Sequence, residues 1–219
     1  MAKKIGVLLS GCGVYDGAEI HESVLTLLAL DRRGAEAALC APDAPQMHVV
    51  DHLSGQVEPG ASRNVLVESA RIARGAIRDV ASVTADELDG VILPGGFGAA
   101  KNLCDFAVKG ADCSVHPEVA RLVREVHAQG KPVGAVCIAP ALVAKVLGNE
   151  RPKLTIGTDA ATASGLEAMG AVHVACAVSE LAVDHERKLV STPAYMLGQR
   201  IAEVAEGIDK AVGALLEMA

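Results

Sequence analysis

The chain of 219 residues has no tryptophan, and its aromatic side chains are limited to two Phe and two Tyr. Its core must therefore be built from small aliphatics, which suits helices packed closely on a parallel sheet. Positive charge is also sparse: 20 Lys and Arg stand against 27 Asp and Glu, for a formal net charge of −7. No basic stripe or block of like charge is present, so nucleic acid is not an expected partner. No apolar run reaches the ~20 residues of a membrane span, and no membrane partner is expected.

The cysteines lack pattern. Cys12, Cys40, Cys104, Cys113, Cys137 and Cys176 form no C-x-x-C pair, and no Cys/His spacing matches a zinc site. No metal ligand set is expected, and the thiols read as free groups of a reducing compartment. Met1-Ala2-Lys3-Lys4 leads directly into a strand, without a signal-type apolar segment or an Arg-rich transit segment. The expected location is the cytoplasm. A dinucleotide fingerprint is missing too, because Gly11-Cys12-Gly13 has no third glycine at the required spacing.

Short apolar runs alternating with helical periodicity are what the chain does have. Ile5 to Leu9, Ala35 to Cys40, Val91 to Leu93, Val133 to Val136, Leu154 to Gly157 and Ala171 to Val174 read as strands. Residues 77–80 form a further short strand, and 181–184 with 188–191 a late hairpin. Helices are expected over 18–33, with Ile20, Val24, Leu27, Leu28 and Leu30 setting the spacing, and over 65–74 behind Asn64. Others span 115–129, with Val119, Leu122, Val123 and Val126 on one face, 141–147, 162–169 and roughly 195–218. Thr84-Ala85-Asp86-Glu87 has capping-box spacing. This βαβ order predicts a doubly wound, mostly parallel α/β sheet with helices on both faces. No repeat, low-complexity tract or linker divides residues 1–219, which read as a single domain.

Sites in such folds lie beyond the carboxyl ends of the strands. Cys137 occupies such an end, between Val133–Val136 and a helix that opens on Pro140, where a first turn tolerates proline. This strand-to-helix corner makes Cys137 the candidate nucleophile, with the helix start expected to favour the thiolate. Gly95 and Gly96 follow another strand, and their amides together with that of Ile138 form a candidate oxyanion hole. Glu19 is the carboxylate expected beside the thiol, with Glu22, one helical turn on, as its substitute. Gly11, Cys12 and Asn102 are candidate lining residues. Cys12 reads either as a resolving thiol or as a small turn residue, and Lys101 and Asn102 either as anion contacts or as solvated helix-start residues. His21, His48, His52, His116, His127, His173 and His185 read as surface or turn residues.

Four segments carry a resemblance: Lys4 to Glu22, Leu93 to Asn102, Val136 to Ala141 and Thr192 to Met196. They resemble the ElbB-type isoprenoid-biosynthesis glyoxalases of the class I glutamine amidotransferase-like superfamily. The resemblance implies a flavodoxin-like sandwich with a nucleophile elbow at Cys137. It also implies an acidic partner at Glu19, oxyanion donors at Gly95, Gly96 and Ile138, a homodimer, and a cofactor-independent lyase that converts glyoxal to glycolate. That activity can also report deglycation of proteins. The late Pro193-Ala194 has no His where the amidotransferase triad carries one, and Ile138 stands where cofactor-free glyoxalases often carry His. The expected function is thus a weak glyoxalase acting on a small aldehyde, with no cofactor. The alternative is a non-catalytic thiol redox sensor or binding protein of the same superfamily, and a glutaminase subunit is a poorer third.

Overall fold

The computed structural model describes residues 2–219. Its frame is a seven-stranded sheet in the order β10-β11-β7-β6-β1-β2-β5. The strands are β1 (Lys4–Leu8), β2 (Glu36–Ala41), β5 (Arg78–Asp79), β6 (Gly90–Leu93), β7 (Val133–Val136), β10 (Ala182–Asp184) and β11 (Leu189–Thr192). All neighbours run parallel except the β10–β11 hairpin. The expected doubly wound, flavodoxin-like α/β class is the fold observed, and the late hairpin forms its antiparallel edge. Chain order reverses direction between β1 and β6, which opens the crevice where such folds hold ligands.

Both sheet faces are covered by helices. One face packs against α1 (Ile20–Arg32) and α8 (Ile201–Met218), with Ile5, Val7, Leu30, Ile92, Val204, Ile208 and Leu215 in that core. The other packs against α5 (Pro117–Ala128) and α6 (Pro140–Leu147), around Leu8, Leu93, Leu122, Val123, Val126, Leu142 and Leu154. Aliphatic side chains supply both cores, and each fully buried Val, Leu or Ile contributes about 1.5–3 kcal/mol of transfer free energy.

Smaller elements differ from the sequence expectation in instructive ways. The stretch 47–57 is a hairpin of β3 (Val50–Asp51) and β4 (Gln56–Val57). Asn64 caps α2 (Val65–Ile72) by accepting a hydrogen bond from Val67 N–H at 3.0 Å. The buried residues of α2 are Val65, Glu68 and Ser69. The strand expected at 154–157 is β8 (Lys153–Leu154), which pairs with β9 (Val172–His173) in a separate two-stranded sheet, flanking α7 (Ala160–Ala168). The last helix begins at Ile201 rather than near 195. Glu203 accepts from Gln199 N–H and Arg200 N–H and fixes the start there, while residues 194–196 form a separate 3₁₀ turn. Two short helices, α3 (Phe97–Lys101) and α4 (Phe106–Lys109), stand where the sequence pattern showed no element.

Helix α1 follows its apolar spacing only in part: Leu30 is in the core and Leu27 packs against it, but the rest of that face is turned outward. Its buried residues are Glu22, Ser23, Thr26, Ala29 and Leu30, while Ile20, Val24 and Leu28 are exposed. Among the described residues, no helix is long and apolar enough to cross a membrane.

Candidate active site

Four adjacent strands bring their carboxyl ends together here. The chain leaves β7 at Val136, and Cys137 takes a left-handed conformation (φ 61°) before α6 begins at Pro140. Few residues other than glycine hold that conformation, and its cost, of order 1–3 kcal/mol, is sustained by surrounding structure. Cys137 N–H donates to Thr192 O at 2.9 Å, which ties the corner to the end of β11. The side chain is left at the floor of a cleft of about 440 Å³, and the residue is only 7 % exposed.

Glu22 meets Cys137 under that floor. It is fully buried, and its carboxylate accepts Gly95 N–H at 2.9 Å (Oε2) and Tyr195 N–H at 3.1 Å (Oε1). Its remaining partner is the Cys137 thiol. Burial and the nearby Glu19 charge push the Glu22 carboxyl up to about 7. Burial, followed by the Glu22 charge, pushes the Cys137 thiol well above the ordinary thiol range, although Gly96 N–H and Ile138 N–H both face the sulfur. The expected helix-start effect is therefore outweighed: two buried acids share a site, and the thiol keeps its proton while Glu22 titrates near neutrality.

Glycine at 95 and 96 is required by close approach. A Cβ on Gly95 would come within 2.4 Å of Cys137 Cβ and 2.7 Å of Glu22 Oε2. Gly96 has φ 91°, and a Cβ there would meet Glu19 N at 2.4 Å. A side chain at either position would push the loop off the sulfur.

The sequence-predicted residues are only partly gathered. Cys137, Glu19, Gly96 and Ile138 line the cleft. Glu19 is not the carboxylate in contact with the sulfur. It caps α1, with Oε2 accepting Glu22 N–H at 2.6 Å, and it faces the cleft one turn away from Glu22. Gly95 is not a free oxyanion donor, because its N–H is committed to Glu22. Gly11, Cys12 and Asn102 lie outside the cleft. Gly11 N–H donates to Ser69 Oγ, and Cys12 sits beside Glu68, Arg71 and Asp16, where burial and Glu68 push its thiol up. Asn102 ties the β1–α1 loop to α3: its Nδ2 donates to Ser10 O and Asp16 O, and its Oδ1 accepts Met47 N–H. Lys101 donates to Tyr15 O rather than facing an anion site.

Tyr195 was missed in the sequence. It follows β11, and it reaches the site because β11 lies next to β7, a pairing between segments far apart in the chain. Its backbone N–H holds Glu22, its ring lines the cleft, and its hydroxyl lies 2.9 Å from His21 Nδ1. His21 itself is exposed, as expected of a surface residue. Phe97, Phe106 and Met196 complete a mostly apolar wall.

Comparison with known proteins places this geometry among relatives. The chain is similar to the human glutamine amidotransferase-like class 1 domain-containing protein 3, mitochondrial, with 50% identity over 99% of this chain and 84% of the relative. The rat ES1 protein homolog, mitochondrial, is 47% identical over 98% of this chain and 84% of its own. A crystal structure of an isoprenoid biosynthesis protein with an amidotransferase-like domain from Ehrlichia chaffeensis superposes with a TM-score of 0.92. It is 37% identical, and the match covers 99% of this chain and 100% of that one. The mitochondrial relatives overturn the cytoplasmic expectation. Free thiols fit any reducing compartment, so cysteine usage could not distinguish one such compartment from another. Residues 14–174, which carry the glycine loop and the cysteine corner, match the model of the DJ-1/PfpI family, and the chain belongs to that family.

Proposed function

We propose that this protein is a cofactor-independent glyoxalase that isomerises a small 2-oxoaldehyde, glyoxal in the simplest case, through a hemithioacetal on Cys137. The observation that carries the reading is the Cys137 thiol set against the buried Glu22 carboxyl beneath a small, mostly apolar cleft, with the Gly96 and Ile138 amides turned toward the sulfur. Glu22 takes the thiol proton as sulfur adds to an aldehyde carbon, and the carbonyl π pair becomes an alkoxide held by the two amides. Glu22 passes that proton to the alkoxide and is again a carboxylate. Glu22, with a carboxyl near 7, next removes the proton from the sulfur-bearing carbon and returns one to the neighbouring carbon. One carbon is oxidised and the other reduced, leaving a hydroxyacyl thioester. Water adds to the thioester carbon, releases the hydroxy acid and restores the thiol, so glyoxal plus water becomes glycolate and a proton. Glu19 and Tyr195 line the path between cleft and solvent. Deglycation of protein adducts would use the same steps on a larger aldehyde adduct.

The support for catalysis over peroxide sensing at Cys137 is electrostatic. A sensor thiol works as an exposed thiolate, whereas this sulfur is buried and held protonated. The expected homodimer remains part of the proposal, and sedimentation at several concentrations measures it. The direct test follows glyoxal and methylglyoxal by time-resolved NMR with wild type, Cys137→Ala and Glu22→Gln. Hydroxy acid formation by wild type and its loss in both variants is the expected result. Aldehyde loss at an unchanged rate in both variants would reduce the chemistry to adventitious amine or thiol addition.

A further inference from the structure

The chain carries only two Phe and two Tyr, and neither core buries one of them. Three of the four, Phe97, Phe106 and Tyr195, line the cleft over Cys137, joined by Val14, Ile138 and Met196. Tyr15 is not in that lining and faces His52 instead, with ring centres 5.0 Å apart. The large flat side chains are thus withheld from the core and concentrated around the reactive sulfur. Phe97 stays 47 % exposed there. Apolar surface left in water at a concave site is surface that a ligand can cover. Glyoxal cannot cover it, because both its carbons carry oxygen and it brings no hydrocarbon to the wall.

Size and rigidity agree. A cleft of about 440 Å³ falls within the range of about 300–1,000 Å³ that holds ligands much larger than glyoxal. Phe106 packs against Gly165 of α7, where an added Cβ would come within 3.0 Å of its ring. Lys101 Nζ lies 5.0 Å from the centre of the Phe97 ring and donates to Tyr15 O at 3.0 Å, a cation–π contact that steadies the ring.

Charge narrows the class further. No Lys, Arg or His lines the cleft, whereas Glu19 faces it and Glu22 lies against the sulfur. A carboxylate or phosphate on the substrate would meet acidic neighbours and no cation, and would lose its hydration without a compensating partner.

We propose, resting on the glyoxalase reading above, that the substrate is a 2-oxoaldehyde whose ketone carbon carries an uncharged apolar group about the size of a ring, with phenylglyoxal as its simplest probe. Sulfur adds to the aldehyde carbon, and Phe97, Phe106 and Met196 cover the apolar group on the neighbouring carbon. The same proton transfers and the same hydrolysis turn phenylglyoxal and water into mandelate and a proton. The aldehyde carbon is oxidised to the carboxylate and the ketone carbon is reduced to the carbinol, so no outside oxidant or reductant enters.

The test compares wild-type kcat/KM for phenylglyoxal, methylglyoxal and 4-carboxyphenylglyoxal. Each value is divided by the rate of the same rearrangement in hydroxide alone, which removes intrinsic reactivity. Phenylglyoxal is expected to exceed methylglyoxal by at least about tenfold, since even a single methylene is read on that scale in an apolar pocket. 4-Carboxyphenylglyoxal, the same ring with a negative charge, is expected to fall at least about tenfold below phenylglyoxal. Phe106→Ala is expected to shrink the preference for phenylglyoxal over methylglyoxal by about tenfold, mainly through KM. A value for methylglyoxal equal to or above that for phenylglyoxal would overturn the apolar group. Equal values for the two aromatic aldehydes would overturn the exclusion of charge.

Binding is read separately, so that the pocket stands or falls apart from the chemistry. Iodoacetamide alkylation of Cys137, followed by mass spectrometry, is slowed by any ligand seated over the sulfur. Mandelamide is expected to slow it at least about threefold, the effect of a ligand at about twice its Kd, at concentrations where lactamide has no effect. If no aldehyde is turned over, the glyoxalase reading fails, while protection by mandelamide alone would still support an apolar ligand in the cleft. Equal protection by the two amides, or by neither, would overturn it.

Discussion

Helices α1 and α5 flank the same sheet from opposite faces and obey opposite rules. Helix α5 buries Val119, Ala120, Leu122, Val123 and Val126 and leaves its charges outside, where Arg121 pairs with Glu118 and Glu125. Helix α1 buries Glu22, Ser23 and Thr26 alongside Ala29 and Leu30, and leaves Ile20, Val24 and Leu28 in solvent. The hydrophobic effect orients the first helix. The second is oriented by partners that only a polar face can satisfy: Gly95 N–H, Tyr195 N–H and the Cys137 thiol all converge on Glu22. A buried carboxylate without such partners would cost several kcal/mol. The difference separates a helix that holds the fold together from one that presents a reactive group to the end of the sheet.

The comparison is broken most sharply at Glu22. Glu22→Gln is expected to lower glyoxal turnover by about 10²–10⁴-fold, the usual contribution of a positioned acid or base. Glu19→Gln should cost much less, since Glu19 does not touch the sulfur. Equal losses in the two variants would remove Glu22 from its assigned role. Leu122→Ala on α5 should do the reverse. It should cost about 2–5 kcal/mol of stability, read from urea midpoints, and leave the turnover of the remaining folded protein unchanged.

A titration sharpens the contrast further. The folded-state carboxyl of Glu22 is raised from 4.5 to about 7. Its stabilising contribution is therefore fully present below pH 4.5 and is lost as pH rises through 7, with a size of about 3 kcal/mol. Ion-paired carboxylates such as Glu87 with Arg78 and Asp209 with Arg33 are held low and slope the other way. Subtracting the Glu22→Gln stability curve from wild type isolates the buried group. The difference should fall between pH 4.5 and 7 and be flat above it. A flat difference throughout would mean that Glu22 is not desolvated.

Periodicity made α5 legible because its burial is purely apolar, and the four aliphatic residues read from its spacing are all buried. The same rule misread α1. Its apolar residues do repeat at helical spacing, but the partners that turn it over come from β6 and from the segment after β11, far away in the chain. Glu22 consequently stood in the sequence only as a substitute for Glu19. Cys137 was legible because its signal is local: a strand, a cysteine and a proline at a first turn. Tyr195 and α4 carry no local signal of that kind. Tyr195 joins the site through the pairing of β11 with β7, and α4 is a single turn bracketed by a contact between Leu103–Asp105 and Ser114–His116.

The smallest expected effect tests whether the outward stripe of α1 is free of packing duty. Val24 is about half exposed, and Ile20 and Leu28 lie one turn to either side of it. If orientation is set by Glu22 alone, Val24→Ser removes little buried area, and its change in stability should stay within about 0.5 kcal/mol, as for ordinary surface substitutions. The measurement is a urea midpoint taken at two protein concentrations well apart. A loss above about 2 kcal/mol at both concentrations would place Val24 in the core and dissolve the contrast with α5. A loss seen only at the higher concentration would mean that a second copy covers the stripe, because stability gained through association follows concentration. In that case both helices bury an apolar face, one within the chain and the other between chains.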